Sequence, residues 1–297
     1  MFNKSKKQMS IERIRESQEM FRCPLCSKPM SLIHLQSLIC MNQHCFDIAK
    51  QGYINLSSRS IKSKYDRQTF ETRRIISQSG LFHPLQAAVS EIILSQNMSK
   101  EPIRLLDAGC GEGSHLYNIQ STINQRKRNA ILAVGMDISK EGISLAAAEY
   151  SNAVWCVADI ANIPLANQRF NFIINMLSPA NYSEFQRLLT DDGLVIKVVP
   201  EHHYLTEIRD ILYKGTGKQV YSNTPTIRYF NERFDLIAVE DIQYQVSLSE
   251  HLIPPLLGMT PLSWGASQEA REQILQMDLR QITMDFKILV GMQPSQN

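Results

Sequence analysis

The chain has 297 residues, 43% of them hydrophobic and 20% charged, enough for about two domains with sizeable cores. No run of eighteen apolar residues occurs, and the start, MFNKSKKQMSIERIRES, is charged throughout, so neither membrane spanning nor export is expected. The net charge of +2 conceals a split, with +8 on residues 1–75 and −6 on the rest. Such segregation suits a front end that meets a polyanion, although a solvated basic tail would give part of the same excess.

Residues 1–20 are polar with Ile11 and Ile14 at helical spacing, and read as a tail or short helix. Residues 21–56 carry CPLC, thirteen residues, then CMNQH. Cys23, Cys26, Cys40 and His44 form a C-x2-C…C-x3-H set that can close a tetrahedron around a structural zinc. Cys45 directly follows His44, so C-x4-C is an alternative second pair, and His34 is a weaker candidate. Six cysteines in this arrangement do not suggest a disulfide framework, and a reducing cytoplasm fits. Residues 57–100 read as a basic linker followed by helices near 69–79 and 84–95. The six cations Arg59, Lys62, Lys64, Arg67, Arg73 and Arg74 against Asp66 and Glu71 give a local +4, suited to holding RNA phosphates. Phe46 and Tyr53, near the zinc knuckles, are candidates for stacking on bases. Neutralising Arg73 and Arg74 is expected to weaken RNA binding and spare cofactor affinity.

From residue 103 the pattern alternates. Strands are expected at 103–106, 130–136, 154–157, 172–176 and 193–199, with helices from about Ser114 and over 139–150 and 183–189. This rhythm predicts an α/β fold, a doubly wound, Rossmann-like parallel sheet over residues 101–297 with ligands outside the carboxyl ends of its strands. The run DAGCGEG begins at Asp107. Gly109 and Gly111 permit a sharp turn and close backbone approach, and the following helix start offers free N–H groups. Ser114 replaces the last glycine of a dinucleotide fingerprint, and the strand-ending Asp137 lies 28 positions after Gly109, too far for that reading.

The glycine string resembles the first motif of the class I S-adenosylmethionine-dependent methyltransferases. On that resemblance Asp137 is placed to accept from both ribose hydroxyls and Asp159 from the adenine amino group, with Ile138 and Ile160 flanking the ring. A wider resemblance covers most of the chain from Phe21 onward. The zinc-ligand spacing, FDIAKQGYINL (46–56), Phe70 with Arg73–Arg74, Gly80 with Pro84–Leu85, DAGCGEG and MTPLSW (259–264) together are similar to the RlmA family of 23S ribosomal RNA guanine-N1 methyltransferases. That resemblance implies zinc ligation by Cys23, Cys26, Cys40 and His44. It also implies cofactor contacts at Gly111, Glu112, Gly113 and Asp137, and at Phe82 and Tyr204. It further implies a homodimer gripping a hairpin of 23S rRNA.

Guanine N1 carries a proton and lies on the pairing edge, so the base must be unpaired or flipped and the proton given a route out. Asn175, Ser178 and the backbone at Pro179 follow the fourth strand, where this fold places residues near the target. No general base is identifiable by sequence, and His203 is one candidate among several. Competing readings are a methyltransferase for a small molecule or protein with a zinc docking module, and a non-enzymatic zinc RNA-binding protein.

Overall fold

The structure is a computed structural model that describes residues 5–58, 65–97, 102–127, 131–216 and 221–294. Arg59, Lys62 and Lys64 lie outside the described residues. Helix α1 (Lys6–Ser17) starts at Ser5, whose hydroxyl accepts from Gln8 N while the Gln8 side chain accepts from Ser5 N. This reciprocal cap satisfies two otherwise orphaned donors. Of the two readings of this segment, tail or short helix, the structure shows a helix packed on the body. Ile14 and Met20 are fully buried, and Lys6 Nζ donates to Ala148 O at 2.6 Å.

Strands β1 (Met30–Ile33), β2 (Ser37–Cys40) and β3 (Cys45–Asp47) form a small antiparallel sheet. Strand β4 (Ile54–Asn55) leaves it for the main sheet. Helices α2 (Arg67–Gln78) and α3 (His83–Gln96) precede the alternating series. That series runs β5 (Ile103–Ala108), α4 (Ser114–Arg126), β6 (Ile131–Asp137), α5 (Lys140–Glu149), β7 (Val154–Val157), β8 (Phe170–Met176), α6 (Tyr182–Leu188) and β9 (Leu189–Pro200). Asp66 caps α2 through Thr69 N, and Ser139 caps α5 through Gly142 N, both short polar side chains suited to the task. After residue 200 come α7 (Thr206–Leu212), α8 (Thr224–Asn231), β10 (Asp235–Ser247), α9 (Ile253–Met259), α10 (Gln268–Leu275) and β11 (Gln281–Met292).

The main sheet is ordered β10-β11-β9-β8-β5-β6-β7-β4. Strand β11 runs antiparallel to both neighbours, and the other pairings are parallel. The order reverses at β5, between β6 and β8, which places a crevice outside the carboxyl ends of these strands. Apolar residues alternate between the two faces. Ile103 and Leu105 enter one core, and Leu106 and Ala108 the other.

The second core also contains Cys23, Met30, Leu38, Cys40, Ile48, Ile54 and Leu56. Ile54 and Asn55 pair with Cys156 and Val157 of β7, and Phe21 bridges to Leu165. A boundary at residue 56 thus falls beside an edge strand of the main sheet, and the front module shares its hydrophobic core with the body. Among the described residues no helix is long and apolar enough to cross a membrane.

Candidate functional site

Loops at the carboxyl ends of β5 to β9 enclose a cavity of about 1070 Å³. Ordinary ligand pockets hold roughly 300–1,000 Å³, so this one has room for a cofactor and a second molecule. The first half is built on the β5–α4 turn. Gly109, Gly111 and Gly113 all have positive φ, which glycine tolerates and other residues resist. A Cβ on Gly109 would lie 2.0 Å from Ser178 Oγ, and one on Gly113 2.5 Å from the Trp155 ring. Gly109 and Gly111 border the cavity, whereas Gly113 packs beneath it.

Asp137 ends β6 and accepts from Gly111 N at 3.0 Å and Ser139 N at 2.8 Å. Burial pushes its carboxyl up, and the two backbone donors and Arg73 pull it back. Ile138, Ile160, Phe82 and Tyr204 line the same half. Glu112 is buried and held by the Ser114 hydroxyl, with its other oxygen unpartnered. Burial raises its pKa to about 7. Asp107 lies behind the turn, fully buried with one unpartnered oxygen, and is pushed well up by burial and by Asp137 and Glu112.

Several expected contacts differ. Asp159 does not border the cavity. Its carboxylate accepts from Ala161 N at 2.8 Å and caps its own turn, leaving Ala158 and Ile160 as the lining. Asn175 is fully buried and committed. It donates to Ala108 O at 2.6 Å and Pro179 O at 2.9 Å, and accepts from Lys197 Nζ at 2.5 Å. Its role is to shape the 177–180 loop, since it has no donor left for a base. Ser178 does line the cavity. His203 is exposed and does not border the cavity, its ring set edge-on to His202 and its backbone N–H donating to Asp285.

Arg73 is the largest departure. It faces the cavity rather than solvent, with its guanidinium 4.2 Å over the Tyr65 ring and Nε donating to Met259 O at 3.3 Å. Arg74 instead pairs with Glu149 at 3.6 Å, and Arg67 with Glu71 at 2.8 Å on the surface. Tyr53 is buried, and Phe46 packs against the second core, so neither is presented for stacking. The charge run at 59–74 could not reveal this, because helix α2 packs on α9 and turns Arg73 inward.

The sequence reading also missed Lys197 and His115. Lys197 is 4% exposed and opens onto the cavity. Its one signal was a lone charge inside the apolar run GLVIKVV. His115 accepts or donates at 3.0 Å with Gln86, meets Phe82 edge-on, and is held down to about 4 by burial and Arg73. Beyond Ser178 the cavity is bordered by Tyr182, Tyr221, Tyr229 and Pro225, an apolar, aromatic half. The segment Met259–Leu262 closes one wall.

At the other end of the front module, the ligand atoms of Cys23, Cys26, Cys40 and His44 all lie within 4.8 Å of one another. His44 Nδ1 is 3.3 Å from Cys23 Sγ and 3.5 Å from Cys40 Sγ, and Cys26 Sγ is 3.6 Å from Cys40 Sγ. A tetrahedral zinc with three thiolates and one imidazole needs separations of about 3.4–3.8 Å, so the donor set fits that ion. Cys45 is exposed and points to Asp47 instead, and His34 sits in the β1–β2 turn outside the cluster. Four protein ligands leave no position for a reacting water.

Residues 21–58 match the family model described as "RlmA, N-terminal", a zinc ribbon, and residues 99–217 match a "Methyltransferase domain". A Bacillus subtilis (strain 168) protein named "Putative 23S rRNA (guanine-N(1)-)-methyltransferase YxjB" is 38% identical over 92% of this chain and 97% of its own. A Streptomyces fradiae "23S rRNA (guanine(748)-N(1))-methyltransferase" is 26% identical over 82% of this chain and 85% of its own. A Micromonospora griseorubida relative with the name "Putative 23S rRNA (guanine-N(1)-)-methyltransferase" is likewise 26% identical, over 82% and 86%.

Proposed function

Because the chain belongs to the 23S rRNA guanine-N1 methyltransferases, we propose that it methylates N1 of a guanine in a hairpin loop of 23S rRNA. The observation that carries this reading is the two-part cavity. One half is a glycine turn with Asp137, and the other is aromatic and connects with it past Ser178 and Lys197. S-adenosylmethionine supplies the methyl group as a sulfonium electrophile. The Gly109–Gly111 backbone and Asp137 would hold its nucleoside, with Ile138 and Ile160 against the adenine. The unpartnered carboxylate oxygen of Glu112, which borders the cavity, suits its amino group, and the Arg73 guanidinium suits its carboxylate. Phe82 and Tyr204 wall this half.

A flipped guanine fits the aromatic half, where Tyr221 and Tyr229 offer flat faces for stacking over the buried Tyr182. Bringing N1 into line with the methyl group provides much of the acceleration by orientation alone. The zinc ribbon shapes an RNA-facing surface rather than taking part in the chemistry. Its exposed Leu35 and Met41 are available to bases, and Arg67 to phosphates, with Arg59, Lys62 and Lys64 in the adjoining segment. A homodimer is supported by the resemblance and by Leu236, Ile237 and Val239 standing exposed on edge strand β10. A ribosomal RNA substrate supports a cytoplasmic site of action.

The test is to incubate the purified protein and S-adenosylmethionine with deproteinised 23S rRNA. Reverse transcription, which an N1 methyl blocks, should stop at one guanine. A protein that binds the cofactor yet produces no stop, on naked RNA or on ribosomal precursors, would refute the proposal.

A further inference from the structure

Lys197 occupies the carboxyl-terminal part of β9, within an apolar run flanked by Ile196 and Val198. Its Nζ donates to Asn175 Oδ1 and to Ser178 O, both at 2.5 Å. Among the described residues no carboxylate forms an ion pair with it. Its neighbours across the sheet, Asn175 on β8 and Leu289 on β11, carry no charge. An ammonium has three N–H donors. Two are taken, and the remaining corner of the nitrogen belongs to a side chain that borders the cavity. A neutral amine makes the same two donations and carries a lone pair at that corner.

We propose that Lys197 is the general base of methyl transfer, taking the guanine N1 proton through the corner of Nζ that Asn175 and Ser178 leave free. This rests on guanine N1 being the methylated atom. The N1–H bond breaks, its proton passes to the neutral Nζ to give an ammonium, and the N1 electron pair forms the bond to the methyl carbon. The carbon–sulfur pair stays with sulfur, which leaves as the neutral thioether, and the ammonium later returns its proton to solvent. Charge balances: one cation, the sulfonium, is replaced by another, the ammonium.

The electrostatic setting agrees. Burial lowers the Lys197 pKa to about 8, so a usable fraction is neutral near physiological pH. The charged groups that share the cavity are Arg73 of α2, Glu112 of the β5–α4 turn, Asp137 of β6, Glu201 after β9 and Arg209 of α7. The two arginines oppose a further positive charge and the three carboxylates favour it, so burial is what lowers Lys197. Cys110 and Tyr204 are held protonated by burial, as are Tyr182 and Tyr221, while His115 stays neutral above about 4. Tyr65 and Tyr229 complete the titratable lining.

Single-turnover methylation of 23S rRNA by the full-length protein, followed across pH 6–10, tests this with Lys197→Met and Lys197→Arg. Arginine keeps donors for Asn175 and Ser178 but does not release a proton. Both variants should bind S-adenosylmethionine within about threefold of wild type and lose about 10²–10⁴-fold in rate, the span expected for a lost general base. Both should also lose the wild-type rise in rate centred near pH 8. An arginine variant that retains more than about a tenth of the rate would overturn the proposal and leave Lys197 as a positioning residue for the 177–180 loop. So would a methionine variant that keeps the wild-type pH limb. If methionine prevents folding, judged by lost cofactor binding, the arginine variant decides. Wild-type protein that methylates a different atom would instead overturn the guanine-N1 reading, independently of both variants.

Discussion

Arg73 and Arg74 are adjacent in sequence and belong to different environments. Arg73 stacks over Tyr65 inside the cavity and biases Glu112, Asp137 and His115 electrostatically, while Arg74 pairs with Glu149 at a half-exposed surface. Arg73→Ala should therefore weaken S-adenosylmethionine binding about 10- to 100-fold, as expected for losing a charge-assisted hydrogen bond worth about 1.5–3 kcal/mol. Arg74→Ala should leave that affinity within about twofold, because exposed ion pairs contribute little. Calorimetric titration of both variants checks this, and equal losses would show that the helix rather than the guanidinium matters. At this scale the cofactor half was partly legible. Asp137, Ile138 and Ile160 sit at strand ends, where the chain direction alone aims them at the crevice. Asp159 stands outside the cavity lining, with its carboxylate accepting from Ala161 N in a local turn that the strand pattern does not signal. Asn175 was misread because a buried amide must satisfy its own bonds first.

The β5–α4 turn shows how an element is constrained from both sides. Gly113 has φ +85°, and an added Cβ would meet Trp155 at 2.5 Å. That indole cannot easily yield, being fully buried with its Nε1 bonded to Tyr150 O at 2.7 Å. Gly113→Ala should cost about 2–4 kcal/mol, combining left-handed strain with overpacking. Gly265→Ala, with no atom within 4 Å of the new methyl, should change stability by less than about 0.5 kcal/mol. Urea unfolding of the two variants measures the contrast. The alternating elements from β5 to β9 were legible to within a few residues, since each strand is a short apolar run closed by a cap or glycine. The elements beyond residue 200 were not. Strand β10 is an edge with a mostly exposed pattern, so its alternation lacks a strong apolar face. Strand β11 inserts between β9 and β10, a pairing that only long-range packing specifies.

On the scale of the whole molecule, the front module and the body share one hydrophobic core. Cys23, Cys40, Ile54 and Leu56 pack in the same core as Leu106, Val134 and Cys156. Removing zinc with a strong chelator should abolish rRNA methylation and lower the melting temperature of the entire chain in a single transition, with zinc restoring both. A separate low-temperature step that leaves the main transition unmoved would instead show an autonomous module. The separation of residues 21–56 as a domain was a natural reading of a ligand cluster followed by a serine-rich, basic stretch. A family model matches the same stretch, residues 21–58, and what the sequence does not signal is its tie to the body: two residues of β4, too short to signal a strand, complete a sheet whose other strands lie far along the chain.

The pairing of Ile54 with Cys156 has a consequence for biosynthesis. The zinc ribbon leaves the ribosome first and can capture its metal while α4, β6 and β7 are still being translated. Its last strand then has only the Ile48–Ile54 bridge until β7 emerges to receive it. Chain order thus lets metal loading precede closure of the sheet, and a nascent chain made in zinc-poor cells would meet its own methyltransferase core with that edge still unformed.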